Sequence, residues 1–225
     1  MSILGFHKNG GYAEFVAAPA SSLIAVPADL PGHLACLAEP LASALNALEQ
    51  IKLSRGTSIL IYGGGALGLL MAMAAREAGA EPFVVETNQR KLERSQEFRS
   101  SFGIAGGLDC RRTEFDAVIN ATPNFTTFPD GLSKLKASGG FCLFSGFSDE
   151  GPIPVNLIND VHYRQLHVVG AYGCTRAQMA KALTLLQRRR DHIELLIEAR
   201  IELEQVPSVL SSVLSGEAFK YIVVF

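Results

Sequence analysis

The chain has 225 residues, of which 48% are apolar and 19% charged, enough to bury a substantial core and too apolar for a disordered chain. A net charge of −2 offers no electrostatic footprint for nucleic acid, and no apolar stretch is long and uninterrupted enough to span a bilayer. The N-terminus does not read as a signal peptide, and the four cysteines, Cys36, Cys110, Cys142 and Cys174, form no Cys-x-x-Cys pair. Free thiols in a cytoplasmic protein are the expectation.

In chain order, residues 10–16 and 23–27 read as two short strands joined around Pro19. Pro31-Gly32 opens a helical segment ending near Pro40, and a second helical pattern runs from Leu41 to Gln50. Ser58-Ile59-Leu60-Ile61-Tyr62 is then a buried parallel strand that stops at Gly63-Gly64-Gly65, and 66–78 is an Ala-, Leu- and Met-rich helix closed by Gly79. Gly63-x-Gly65-x-x-Gly68 therefore lies between a strand and a helix. There Gly63 permits a sharp turn, Gly65 lets backbone approach a pyrophosphate, and Gly68 lets the helix lie close on the strand. The first-turn N–H groups, including those of Ala66 and Leu67, and the helix dipole would hold the phosphates. A second strand, 83–86, ends in Glu86, 18 residues beyond Gly68 and near the spacing at which an acid meets an adenosine ribose 2′-hydroxyl. An ordinary βαβ unit with a solvated Glu86 has the same parts. The order of strand, glycine turn, helix, strand and acid favours the dinucleotide reading.

Asn88 can cap the next helix, a short strand falls near residues 107–109, and 115–120 is another buried strand. Only residues 110–114 separate these two strands, so the crossover between them is reduced to a loop. Residues 125–135 read as helix, 141–145 as strand and 167–171 as strand, which completes a six-stranded sheet. The tail reads as a helix over 176–190, a strand over 197–203, a helix to Leu214 and a final strand over 221–225. Arg188-Arg189-Arg190, the only basic run, sits at a helix end, where cations meet the negative end of the dipole.

Gly11-Tyr12-Ala13-Glu14-Phe15, Val26-Pro27, Ala38-Glu39-Pro40-Leu41-Ala42, the glycine turn, Glu86 with Arg90, and Lys220-Tyr221-Ile222-Val223-Val224 together resemble the medium-chain dehydrogenase/reductase superfamily. The nearest group is the zinc-type alcohol and polyol dehydrogenases. The resemblance implies an α/β fold, a Rossmann-type doubly wound parallel sheet with a partial, discontinuous GroES-like catalytic-domain remnant. It divides the chain into a remnant over 1–50, a dinucleotide-binding domain over 51–171, and a return to the remnant over 172–225. It implies NAD as cofactor and adds Ala121, Thr122, Gly146 and Ala171, at the carboxyl ends of later strands, to the cofactor-binding residues Gly63, Gly65, Ala66, Leu67, Gly68 and Glu86. Arg90 would cover either the adenine or its own helix. It also implies a homodimer or larger assembly through the outer strand at 167–171.

Family members hold a catalytic zinc through a cysteine, a Gly-His-Glu histidine and a glutamate or cysteine in the Glu-Pro-Leu-Ala motif. Only Glu39 matches a metal position here, and its alternative is an acid beside a helix-boundary proline. The five histidines show no i, i+4 pairing. Zinc is therefore expected in intact relatives and not in this chain, and no catalytic residue is assigned. Three functions follow. The first is an NAD(H)-binding oxidoreductase acting on an alcohol or carbonyl, incomplete for catalysis as this chain alone. The second is a non-catalytic nucleotide-binding fragment or subunit. The third is an S-adenosylmethionine-dependent methyltransferase, which Gly68 and the family-like ends oppose.

Overall fold

A computed structural model describes residues 4–5, 7–148 and 152–225. After the short helix α1 (Gly32–Ala35) come α2 (Ala38–Gln50), β1 (Ser58–Tyr62), α3 (Ala66–Glu77) and β2 (Glu81–Val85). Next are α4 (Gln89–Arg94), α5 (Gln96–Ser101), β3 (Ala105–Gly107), β4 (Phe115–Asn120), α6 (Thr127–Lys134) and β5 (Leu135–Leu143). The remainder is α7 (Val155–Tyr163), β6 (His167–Gly170), α8 (Arg176–Ile193), β7 (Ala199–Ile201), α9 (Val206–Leu214) and β8 (Tyr221–Val223).

The sheet is six-stranded and parallel in the order β3-β2-β1-β4-β5-β6, so the chain reverses direction across the sheet between β1 and β4. Its central strand is apolar on both faces. Ile59 and Ile61 join the core shared with α2, α3 and α8, whereas Leu60 and Tyr62 join the core with Phe128 and Leu132 of α6. Period-2 alternation into two separate cores is what a doubly wound sheet requires of its middle strand. Helices α2 and α8 pack together on the first face, and Asn46 donates to the Gly173 carbonyl at 3.0 Å. No helix covers residues 108–114, as the short spacing predicts, so the second face carries α6 and α7 alone among the described helices.

Several elements differ from expectation. Residues 10–16 and 23–27 are not strands: no described strand lies beside them to complete a ladder, and Tyr12 and Phe15 are exposed. Pro40 does not break a helix, because α2 begins at Ala38 and places it in the first turn, where its missing N–H has no intrahelical partner to lose. β3 ends at Gly107, two residues earlier than the apolar Leu108 suggests. β5 begins at Leu135 and runs through Gly139-Gly140, with its register shifting between Phe115 and Ala117. Helix α7 has no counterpart in the expectation. Among the described residues β7 and β8 are short and pair in parallel only with each other.

Candidate functional site

The carboxyl ends of β1, β2, β3 and β4 converge on the glycine turn. Gly63 adopts φ +108°, and a Cβ there would lie 2.7 Å from the Ala121 carbonyl oxygen, so both backbone freedom and lack of bulk are needed. Gly68 is tighter still: a Cβ would fall 1.9 Å from the Gly63 oxygen. Gly64 serves a different contact, since its Cβ would sit 2.7 Å from that of Glu86. Gly65 is unlike these three. A Cβ there would meet only the Lys91 side chain, with Nζ at 3.5 Å. Packing does not require glycine at position 65, and the space beside it is bounded by the end of the Lys91 side chain alone. Gly65 is also the N-cap of α3, whose first turn holds no acid and leaves its N–H groups aimed at that space.

Glu86 is 11% exposed at its side chain and is held by backbone. Its Oε2 accepts from the Gly64 N–H at 3.1 Å and its Oε1 from the Asn88 N–H at 2.9 Å. A carboxylate has lone pairs beyond these two, so it can also accept from a ribose diol. Lys91 Nζ lies 3.9 Å from Oε2 and donates to the Gly216 carbonyl at 2.6 Å. Sequence reasoning singled out Arg90 and missed Lys91. Arg90 lines a separate depression with Gln89, Glu93 and Glu217, whereas Lys91, one residue on, turns toward the glycine turn. The 100° rotation per helical residue is the signal that could have separated them.

Asn120, also missed, is fully buried at the end of β4. Its amide nitrogen donates to the Thr122 and Ser145 carbonyls at 3.3 and 3.0 Å, and its oxygen accepts from the Phe144 N–H at 2.9 Å. It thereby fixes the loops after β4 and β5 to each other at the carboxyl edge of the sheet. Thr122 lines the cavity below the glycine turn, together with Gly63 and Glu86. Gly146 is open, with no atom near the position of a Cβ, and Ala171 is buried in the core.

Glu39 is exposed, with its carboxylate accepting from Ser43 Oγ at 3.1 Å. Cys174 lies beside it: burial, and after it the Glu39 charge, push the Cys174 thiol up from its ordinary value. Cys142 is more deeply placed in the core and burial pushes its thiol up to about 12. Among the described residues no three His, Cys, Asp or Glu side chains converge to hold a metal ion. His33 is engaged elsewhere, 2.5 Å from Glu194 and 2.7 Å from Arg200 Nη2. The described residues do not fit a zinc ion.

A doubly wound parallel sheet with a glycine turn after β1 and an acid after β2 defines the class of dinucleotide-binding α/β proteins. No protein-family profile matches the chain. A zinc-type alcohol dehydrogenase-like protein of Haemophilus influenzae is 30% identical over 94% of this chain and 63% of its own length. D-altritol 5-dehydrogenase of Agrobacterium fabrum is 29% identical over 90% of this chain and 61% of its own length. A solved structure described as a zinc-binding dehydrogenase of Sinorhizobium meliloti, bound to NADP, superposes with a TM-score of 0.83 at 23% identity, over 99% of this chain and 68% of that one. The chain belongs to the zinc-type alcohol and polyol dehydrogenase group of the medium-chain dehydrogenase/reductase superfamily, and it spans about three-fifths of the length of the curated relatives it matches. No described helix is long and apolar enough to cross a membrane.

Proposed function

We propose that this chain is the nucleotide-binding part of an NAD(H)-dependent oxidoreductase acting on an alcohol or carbonyl, and that it is cytoplasmic. The observation that carries the reading is Gly65, whose missing side chain faces a space bounded only by the end of the Lys91 side chain at the N-terminus of α3, while its neighbours Gly63, Gly64 and Gly68 are constrained by closer contacts. The pyrophosphate would occupy that space, with the N–H groups of Ala66 and Leu67 toward it. Glu86 would accept from the adenosine ribose, with Lys91 beside it. The bound dinucleotide supplies the hydride acceptor, and the chain binds and orients it. Residues 1–50 and 172–225 would form one unit around the nucleotide domain at 51–171. Titration with NADH, with S-adenosylmethionine in parallel, tests the reading. Binding of S-adenosylmethionine alone would replace it with a methyltransferase.

Glu86 also sets the expected cofactor choice. A 2′-phosphate would bring like charge against a largely buried carboxylate, and Lys91 at 3.9 Å offsets that only in part. NADH is expected to bind at least about tenfold more tightly than NADPH, and Glu86→Ala to narrow the gap. Equal affinities in the unaltered chain, measured by titration calorimetry, would remove Glu86 from the ribose site.

An assembly of two or more copies is part of the same reading. Among the described strands β6 pairs only with β5, which leaves its outer edge without a described partner, and Val168 on it is 37% exposed. Pairing of two such edges would satisfy both. Light scattering at tens of micromolar is expected to give at least twice the chain mass, and a clean monomer would contradict it.

A further inference from the structure

Helix α4 is tied to the far end of the chain. Lys91 and Arg94 lie one turn apart on it and share a face. Lys91 Nζ donates to the Gly216 carbonyl at 2.6 Å, and Arg94 Nη1 donates to the Glu217 carbonyl at 3.2 Å. Arg94 Nη2 is also 2.7 Å from both carboxylate oxygens of Glu198, and its guanidinium lies 5.1 Å from the centre of the Phe219 ring. Glu198 in turn accepts from the Phe219 N–H at 3.2 Å and donates its own N–H to the Lys220 carbonyl at 2.7 Å. Arg94 and Glu198 together grip the turn between α9 and β8.

Gly216 closes α9 in the left-handed region, at φ +71°, with its N–H donating to the Val213 carbonyl at 3.1 Å. Its carbonyl lies outside the helix and accepts from Lys91. The Lys91 side chain is 12% exposed, with Nζ 3.9 Å from Glu86 Oε2 and 3.5 Å from the position of a Cβ on Gly65. An ammonium so enclosed needs hydrogen-bond acceptors to offset its lost water, and Gly216 supplies a short one. An ammonium has three N–H donors, so that bond leaves others for a ligand beside Gly65. Without the Gly216 carbonyl the four-carbon stem regains its rotamers, and the charge loses its fixed place.

We propose that the C-terminal turn is a working part of the nucleotide site, with Arg94 as a positioning residue that acts through Lys91. Arg94 and Glu198 hold the turn, the turn presents the Gly216 carbonyl, and that carbonyl keeps the Lys91 charge beside Glu86 and Gly65. The inference rests on the dinucleotide reading above. It makes nucleotide affinity depend on a hydrogen bond that spans 125 positions of the chain.

The test is NADH titration of the whole chain carrying Arg94→Gln, Lys91→Met or both. Arg94→Gln is expected to weaken NADH about fivefold and Lys91→Met about tenfold, with the double variant no weaker than Lys91→Met alone. That non-additivity separates positioning from a general loss of structure, whose effects would multiply. The Arg94 side chain is 45% exposed, so its replacement spares the core. Glu198→Gln breaks the grip from the other side and is expected to reproduce the Arg94→Gln result. Hydrogen exchange at the Phe219 amide should rise in both variants as the turn is released. Normal NADH affinity in either variant overturns the proposal while leaving the dinucleotide reading intact. Tighter binding in Arg94→Gln also overturns it, by showing that the turn withholds Lys91 from the nucleotide. Effects of Arg94→Gln and Lys91→Met that multiply in the double variant overturn it as well. Failure of the unaltered chain to bind NADH overturns the functional reading itself, and this proposal with it.

Discussion

Gly65→Val is expected to abolish dinucleotide binding without unfolding the chain, and Gly68→Ala to unfold it. The two glycines are three residues apart in one motif but are constrained by different things. At Gly68 a methyl group would fall 1.9 Å from the Gly63 carbonyl oxygen, a backbone atom fixed by the Gly63 N–H bond to the Val85 carbonyl at 2.8 Å. Neither side can yield without separating α3 from β1, so the loss should exceed about 4 kcal/mol, a large part of a domain's stability. At Gly65 the nearest atom to a Cβ is the end of the flexible Lys91 side chain, which can move aside. The valine side chain would then stand in the pyrophosphate space. Thermal melting followed by circular dichroism, paired with NADH fluorescence titration, separates the two outcomes. A Gly65→Val chain that binds NADH normally would show that the space at the α3 N-terminus is not the phosphate site.

The purified chain is expected to bind no stoichiometric zinc and to oxidise simple alcohols negligibly, even where it binds NADH. A catalytic zinc needs about three protein ligands in fixed geometry, with thiolate and imidazole giving most of the affinity. Glu39 is engaged with Ser43, and its sulfur neighbour, Cys174, has its thiol pushed up by burial and by Glu39 itself, which disfavours the thiolate a metal needs. His33 is tied to Glu194 and Arg200. Without a Lewis acid, the several kcal/mol of alkoxide stabilisation that such a metal supplies is missing. Elemental analysis of chelator-washed protein, with an NADH-formation assay, tests both halves. One zinc per chain that disappears in Glu39→Ala would mean that Glu39 recruits ligands from outside the described cluster. Robust turnover would mean that the remaining two-fifths of the relatives' length is dispensable.

Much of the fold is written locally. Five consecutive buried residues stopping at three glycines, a small-residue helix closed by Gly79, and an acid after the next strand are short-range features, and each element forms where its own pattern places it. The missing crossover was likewise legible, because the expected strands left only residues 110–114 between them, too few for a helix and two turns. What failed were the strand assignments at 10–16 and 23–27. Alternation marks a segment that could join a sheet, but a strand exists only where a neighbour accepts its hydrogen bonds.

The division within the glycine motif could not be read locally at all. Sequence alone assigns Gly63, Gly65 and Gly68 by analogy of spacing. Only the folded chain brings the Ala121 carbonyl against Gly63, the Glu86 side chain against Gly64 and the Gly63 carbonyl against Gly68, leaving only the end of the Lys91 side chain near Gly65. Likewise the position of Lys91 beside Glu86 and the burial of Asn120 between two loop carbonyls depend on which strand ends lie side by side. Secondary structure follows from neighbours in sequence, whose spacing is visible in the chain. The site is made by contacts between residues far apart in sequence, and their distances are set only when the sheet closes its strand order.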